Sequence, residues 1–470
     1  MKYLRFYIFL CLAAGISSAS HASDEIQQLR QQMESLKKEY SDRINEIEQR
    51  LEQAEAREAG SQPGISTPQA LTAKKSPALE SSGSYETVAR SASDEAGSSF
   101  NPAISLILDG RYSNFSQDPE EYVLPGFMLG GEAGPGEQGF SLGHSELVMS
   151  ANADDKFYGR FTLAFAEHNG ETEIEIEEAF FETLGLNYGL SIRGGRFFSD
   201  IGYLNSQHRH QWDFTDAPLI YRGLFGNQLI DDGIQLSWLA PTDVYLSFGS
   251  EAFRGSRFPL SSGSDNDIGA YTLFAKVGGD VGISNSWLAG ISYLDADTND
   301  RGSSGHGHLE DGHITPVFSG DSSTWGVDFV WKWAPNGNRR QRNLQLQYEY
   351  YHRDDDGLLV AGEESGSYQG YQSGWYAQAV YQFIPRWRIG MRYDALDSSA
   401  SGSDAELIHE AGLDSGGHRP ERYSVMMDWS NSEFSRFRLQ YNRDESSMLV
   451  NDQWMLQYIL SLGAHGAHNY

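Results

Sequence analysis

The stretches Arg386–Tyr393, RWRIGMRY, and Ser435–Asn442, SRFRLQYN, decide the fold of this chain. Polar and apolar side chains alternate in both, so an extended backbone turns one face to hydrocarbon and the other to water. Units of about ten such residues recur about sixteen times between Phe100 and Tyr470. A closed sheet pairs every backbone group within lipid. The sequence therefore predicts an all-β fold, an antiparallel transmembrane β-barrel of ~16 strands.

The connections between the predicted strands alternate between short and long. Short turns are expected at 153–156, 186–189, 239–243, 279–285, 334–343, 383–387 and 430–434. Outer loops are expected at 116–139, 167–173, 200–230, 254–266, 295–321, 354–369, 397–419 and 443–451. This rhythm is typical of outer-membrane barrels and puts both ends of the barrel on one side, around an aqueous lumen. A soluble β-sandwich or propeller is the alternative fold.

Composition narrows the possible functions. The formal net charge of −30 makes nucleic acid an improbable partner, and no apolar run reaches the ~18 residues of a membrane-spanning helix. The 50 glycines and 13 % aromatic residues suit tight turns and interfacial girdles. A mean hydropathy of −0.50 fits a barrel whose strands face water on one side. The single cysteine, Cys11, lies in the targeting peptide, which excludes disulfides from the mature chain.

The chain before the barrel divides into three segments. Residues 1–22 combine a basic start, an apolar stretch and a small-residue cleavage site, which predicts a signal peptide and export in a Gram-negative cell. Residues 23–58 have a three-four apolar spacing, typical of a periplasmic coiled coil that joins barrels as a homotrimer. A lone amphipathic helix is the alternative. Residues 59–99 are predicted to be a flexible linker, followed by the barrel at 100–470.

A basic wall is predicted on the lumen side of the last strands. Parity against lipid-facing neighbours assigns to it Arg386, Arg388, Arg392, Arg422, Arg436 and Arg438. The loop 200–230 carries Asp213 and Asp216 and is rich in apolar residues, which favours folding into the lumen over a subunit contact. Acid would then face base across a narrow water-filled gap and set ion selectivity. Alternatively, the arginines only solvate the lumen and pair with neighbouring acids.

Histidines collect in the predicted outer loops. Imidazole and carboxylate side chains on flexible loops suit transient capture of Zn²⁺. The metal-ligand candidates are His306, His308, His313, His208 and His210. The alternative is an ordinary accumulation of polar residues in loops. The chain contains no GxSxG, P-loop or HExxH motif, so we expect neither an enzyme nor a resident cofactor.

Several stretches resemble a known family of proteobacterial outer-membrane proteins. They are FNPAISLILDGRY (Phe100–Tyr112), GFSLGHSEL (Gly139–Leu147), EEAFFETLGL (Glu177–Leu186), GRFFSDIGYLN (Gly195–Asn205), DAPLIYRGLFGNQ (Asp216–Gln228), QLSWLAPTD (Gln235–Asp243) and SLGAHGAHNY (Ser461–Tyr470). The family is porin-like with an N-terminal coiled coil. Its members are often labelled TonB-dependent receptors, and some are linked to zinc supply. The architecture is similar to that of phosphate-selective porins, which are sixteen-stranded trimers.

This chain departs from the receptor label in one respect: residues 24–99 leave no room for the plug domain of such receptors. Phosphate selectivity does not carry over either, because the lysine ladder of phosphate porins has no counterpart here. The terminal Tyr470 is similar to the aromatic ending that the barrel-assembly machinery recognises. The resemblance implies an outer-membrane barrel surrounded by lipid.

Three functions are compatible with the sequence. The favoured one is a porin for passive diffusion of small hydrophilic solutes or ions across the outer membrane. An uptake channel for divalent metal ions, with outer histidines as ligands, is the alternative. A structural or adhesive surface barrel is the third.

Overall fold

The computed structural model describes residues 102–130, 133–168, 171–261, 268–303 and 315–463. The chain divides into two units, 1–77 and 78–470, and all described residues belong to the second. The predicted signal peptide, coiled coil and linker lie outside the described residues, as do His306, His308 and His313.

Strands β1–β17 make up nearly all of the regular structure. In chain order they are Ala103–Phe115, Gly139–Leu142, Ser145–Asn152, Phe157–His168, Glu171–Thr183, Leu190–Phe198, Ile230–Leu239, Tyr245–Phe253, Ala270–Val281, Asn285–Arg301, Val317–Trp333, Asn343–Ala361, Glu364–Ile384, Trp387–Gly402, Glu421–Ser432, Ser435–Glu445 and Asn451–Gly463. Helices α1, Leu219–Phe225, and α2, Ala405–Glu410, lie in the connections β6–β7 and β14–β15. In the described part of the chain, no helix is long and apolar enough to cross a membrane.

The sheet is closed. β1 pairs antiparallel with β17 and, on its other side, with β2 and β3, which are two parts of one barrel strand. All other neighbours in the sheet are consecutive antiparallel strands. The result is a sixteen-strand antiparallel β-barrel, which confirms the predicted fold class.

The alternation of side chains follows the predicted parity. On β14, Ile389 and Met391 are exposed on the outer face, whereas Arg392 and Asp394 are buried inside. Aromatic rings line up across neighbouring strands on the outside. One row contains Trp387, Trp429, Phe437 and Tyr458, and a second contains Trp375, Tyr393 and Tyr423. Rows of aromatic residues above and below an apolar band are typical of a barrel that spans a membrane.

Some predicted outer loops are sheet. The prediction of a loop at 354–369 is wrong, because β12 and β13 stay paired up to Ala361 and Glu364 around a tight turn at Gly362. β10 and β14 likewise continue to Arg301 and Gly402. The acids and glycines of these stretches lack the lipid-facing alternation because a sheet that extends beyond the membrane meets water. The polar character of these stretches therefore marks the edge of the membrane-spanning part of each strand, and not the end of the strand.

The lumen contains an apolar core. Two connections enter it, the segment 119–130 and the loop 199–229, and both bury large side chains against the inner wall. The cluster includes Leu124, Phe127, Leu219, Leu224, Tyr351 and Leu396. The barrel is thus partly filled by its own chain.

A charge on the outer face tests the membrane-facing assignment. Met391 is 64 % exposed between the two aromatic rows. We expect Met391→Arg to destabilise the barrel in lipid by about 2–4 kcal/mol, because that charge enters hydrocarbon. Urea titration of the protein folded into vesicles would measure the change, with Met391→Leu as the control. Equal stability of the two variants would contradict a lipid-facing position.

Candidate functional site

The loop between β6 and β7, residues 199–229, is called the inward loop here because it is buried inside the barrel. Helix α1 lies near its centre, starts after Pro218 and ends at Gly226, whose φ of 62° closes the helix in the left-handed region. All seven residues of α1 are buried. Its side chains Leu219, Ile220 and Leu224 belong to the lumen core. A loop with this much apolar surface is stable only where that surface leaves water.

Asp216 is the most heavily bonded residue of the inward loop. Its carboxylate lies 2.8 Å from Arg392, 2.9 Å from Arg422 and 3.1 Å from Arg222. Gln440 and Asn442 donate to the same carboxylate over 2.8 and 3.1 Å. Three neighbouring strands, β14, β15 and β16, therefore bind the loop through one buried carboxylate.

Asp394 on β14 completes this arrangement. It accepts hydrogen bonds from Arg392 and Arg422 and also from the backbone N–H of Leu219, over 2.9 Å. Leu219 is the first residue of α1, whose free N–H groups attract a carboxylate. The wall thus orients both the acid and the helix of the inward loop.

The other arginines of the wall hold the preceding part of the loop. Arg388 pairs with Asp213 at 2.8 Å and with Asp428 of the adjacent strand β15. Arg436 donates to the carbonyl of His210 over 2.6 Å, and Arg438 donates to that of Trp212 over 2.8 Å. Five wall arginines, Arg388, Arg392, Arg422, Arg436 and Arg438, therefore contact residues 210–217 directly. From here on, the basic wall means these five arginines, without the Arg386 that the sequence had assigned to it.

Two expectations need correction. Arg386 does not face the lumen, because it occupies the tight turn between β13 and β14 with a φ of 73° and is exposed. The acids of the inward loop also do not face the basic wall across water. Asp213 and Asp216 contact arginines at hydrogen-bond distance, since the apolar core draws the loop onto the wall.

The charge of Asp216 depends on this contact. Burial alone would raise the pKa of Asp216, but the Arg422, Arg392 and Arg222 guanidinium groups together hold that pKa well below its ordinary value. The carboxylate therefore remains ionised over the physiological pH range. Removing one partner of such a buried pair costs roughly 3–5 kcal/mol.

The two histidines of the inward loop are not at the cell surface. His208 and His210 are 3 % and 2 % exposed and face the inner wall on β3 and β5. Both contact Glu146, at 2.9 Å each, and His208 also lies 3.0 Å from Glu178. The expectation that they lie on the exposed part of an outer loop is therefore wrong, whereas their role as metal ligands stays a prediction.

A second buried acid binds the loop from β12, two strands away from β14. Glu349 on β12 accepts hydrogen bonds from the hydroxyls of Tyr221, Tyr351 and Tyr376. The backbone N–H groups of Tyr203 and Leu204 also donate to it, over 3.1 and 3.0 Å. Sequence reasoning missed this cluster because Glu349 alternates with aromatic residues like many other polar residues of the barrel.

Space remains beside the inward loop. A cavity of about 590 Å³ lies between β1, the segment 115–144 and the loop. Its lining mixes both charges and includes Arg111, Asp118, Glu120, Arg209, Asp216 and Arg222. It is large enough to hold water and small solutes.

Comparison with solved structures finds outer-membrane barrels. A loop-deletion form of OmpT from Vibrio cholerae covers 77 % of this chain and 99 % of its own, with 11 % identity and a TM-score of 0.48. The channel DcaP of Acinetobacter baumannii covers 77 % and 96 %, with 13 % identity and a TM-score of 0.46. An anion-selective porin from Comamonas acidovorans covers 77 % and 99 %, with 10 % identity and a TM-score of 0.42. At these identities the likeness concerns the fold alone.

Comparison of the sequence gives a closer relative. No protein-family model matches the chain. An uncharacterized protein of Aquifex aeolicus (strain VF5) is 32 % identical over 401 residues, which are 79 % of this chain and 80 % of that protein. The chain belongs to the same protein family as this Aquifex protein.

Proposed function

We propose that this protein is a channel for passive diffusion of small hydrophilic solutes or ions across the outer membrane of a Gram-negative cell. The observation that carries the proposal is the inward loop, bound by the basic wall inside a barrel with a polar inner face. A wall of fixed charges around a narrowed lumen selects among small solutes by local field and size. The proposed path follows the cavity beside the loop.

In this proposal the basic wall positions the inward loop, and it does not set ion selectivity by itself. Four of its five arginines, Arg388, Arg392, Arg422 and Arg438, pair with Asp213, Asp216, Asp394 or Asp428. Their main effect is therefore to hold the inward loop at a fixed distance from the opposite wall. Selectivity then depends on the cavity lining, where Arg111 and Arg209 lie near Asp118 and Glu120.

The alternative of metal uptake through outer histidines has less support. Two of its five proposed ligands, His208 and His210, are buried in the lumen. The other three lie outside the described residues. We further propose a homotrimer, on the basis of the coiled-coil pattern at 23–58.

Single-channel recording tests the proposed function. We expect the refolded full chain to give open steps in planar bilayers, grouped in threes if the trimer forms. A bilayer that stays silent, with protein shown to be folded by heat-modifiable migration on gels, would overturn the channel proposal.

Loosening the inward loop should change the pore. In Asp216→Asn the buried arginines Arg222, Arg392 and Arg422 lose their shared charge partner, so the loop is less firmly held. We expect larger and noisier open steps in single-channel recordings. The control is Asp397→Asn, which removes an exposed pair with Arg419 and should leave the conductance unchanged. Identical traces for Asp216→Asn and the wild type would show that the contacts of Asp216 do not hold the inward loop in place.

The ion pairs between Asp216 and the arginines of the basic wall should persist in mild acid. A carboxylate whose pKa is lowered in the folded state stabilises the fold above its unfolded value of about 3.9, and this stabilisation is lost only as the pH falls through the lower folded value. Because the arginines lower the pKa of Asp216, we expect the wild-type conductance to be constant from about pH 8 to about pH 5. Opening or closure of the pore within that range would show that a group other than Asp216 limits the position of the loop over these pH values.

A further inference from the structure

The side chains that surround His208 and His210 form a separate cluster inside the barrel. Its members are His144, Glu146, Glu177, Glu178, His208 and His210, and all are at least nine-tenths buried. We call it the imidazole–carboxylate cluster. Three parts of the chain supply it: residues 144–146 at the start of β3, strand β5, and the inward loop.

Two β-bulges aim the acids of the wall into this cluster. β5 pairs with β4 through Ile176 and then Glu178, so Glu177 is an extra residue in its strand. Glu177 and Glu178 are consecutive yet both buried inside, which strict alternation forbids. Similarly, β2 and β3 carry one residue more than β1 between the pairs of Leu142 and Glu146, and this brings in His144.

We propose that the imidazole–carboxylate cluster binds one divalent transition-metal ion, of the zinc class, that ties the inward loop to the barrel wall. The proposed ligands are Nδ1 of His208, Nδ1 of His210 and the carboxylate of Glu146, with Glu177 and His144 completing the site. Glu146, His208 and His210 place one ligand atom each within 4.8 Å of one another, as do His144, Glu146 and Glu177. Imidazole nitrogen and carboxylate oxygen are common zinc ligands.

Part of the cluster is hydrogen-bonded, through His144 with Glu177 and Nδ1 of His210 with Glu146, but three further buried atoms converge on one point. Nδ1 of His208 lies 2.9 Å from Oε2 of Glu146 and 3.3 Å from Oε2 of Glu177. Although these three buried atoms lie close together, none of them makes a hydrogen bond of regular geometry among the described residues. Ligand atoms about 2.0–2.2 Å from a shared metal are themselves roughly 3–3.5 Å apart. The three atoms therefore converge as ligands do.

The surroundings orient the ligands as metal sites require. The proposed site requires the His208 tautomer with its proton on Nε2, which lies 3.0 Å from Glu178 and donates to it, so that Nδ1 is left for the metal and Arg160 binds Glu178 rather than the ring. Arg160 lies 2.9 Å from Glu178 and 2.8 Å from the same Nε2, and it neutralises one of the three carboxylates. Glu146 and Glu177 are thus the two carboxylates of the cluster that contact imidazoles but no arginine or lysine among the described residues. A divalent cation balances these two charges.

Metal content after refolding tests the proposal. The full chain is refolded with Zn²⁺ or with chelator, desalted, and analysed for zinc by mass spectrometry. We expect one zinc per chain with a raised unfolding temperature, and loss of that zinc in Glu146→Gln and His208→Gln. Glu178→Gln, which changes only the orienting carboxylate, should bind zinc about 10–100-fold more weakly. Glu182→Gln is the matched control, since Glu182 lies on the same strand but pairs with Arg193.

The histidines outside the described residues need their own variant. Changing His306, His308 and His313 together to serine should leave the bound zinc in place. Loss of zinc in that variant, with retention in Glu146→Gln, would overturn the proposal. Wild-type protein that refolds but holds no zinc would overturn it as well, whatever the channel recordings show. If a histidine variant fails to fold, the zinc affinities of Glu178→Gln and Glu182→Gln still test the proposal. Equal zinc affinities of these two variants would contradict a metal site at the imidazole–carboxylate cluster.

Discussion

The contact between the basic wall and the inward loop is the interaction on which the interior of this barrel depends. Five arginines from strands β14–β16 contact residues 210–217, and two of them share the carboxylate of Asp216. Guanidinium groups buried among apolar side chains are costly unless each finds an acceptor. The loop supplies these acceptors as two carboxylates and several backbone carbonyls. The basic wall and the inward loop therefore stabilise each other, because each would have unpaired buried polar groups without the other.

Apolar burial explains why this contact forms inside the barrel. Helix α1 turns Leu219, Ile220 and Leu224 into a core that also includes Tyr351 and Leu396 of the wall. Burial of such side chains contributes about 1.5–3 kcal/mol each. The polar contacts around Asp216 and Glu349 then define one position for the loop, because a displaced loop would leave these acids without donors. The lumen is consequently shaped by the chain itself.

The period-2 pattern accounts for most of what could be predicted. Parity placed Arg388, Arg392, Arg422 and Arg438 inside the barrel, because alternation is a local property of any extended strand. It failed for Arg386, where a turn interrupts the strand, and strict alternation does not place Glu177 and Glu178 on the same side, as the bulge after Ile176 does. It also failed at 354–369, where the sheet continues into water and the lipid-facing signal disappears. Each failure lies where local geometry or environment departs from a regular strand in a bilayer.

The sequence by itself determined the closed barrel, the side on which the residues of regular strands lie, and the apolar character that draws loop 199–229 out of water. Only the tertiary structure decided the partners. Arg388 and Asp213 are 175 residues apart in the chain, and Arg422 and Asp216 are 206 apart. No local period relates such positions, since their meeting depends on where a long loop comes to rest within a closed sheet. The same reason hid the imidazole–carboxylate cluster, whose acids and histidines come from three separate elements and from two bulges.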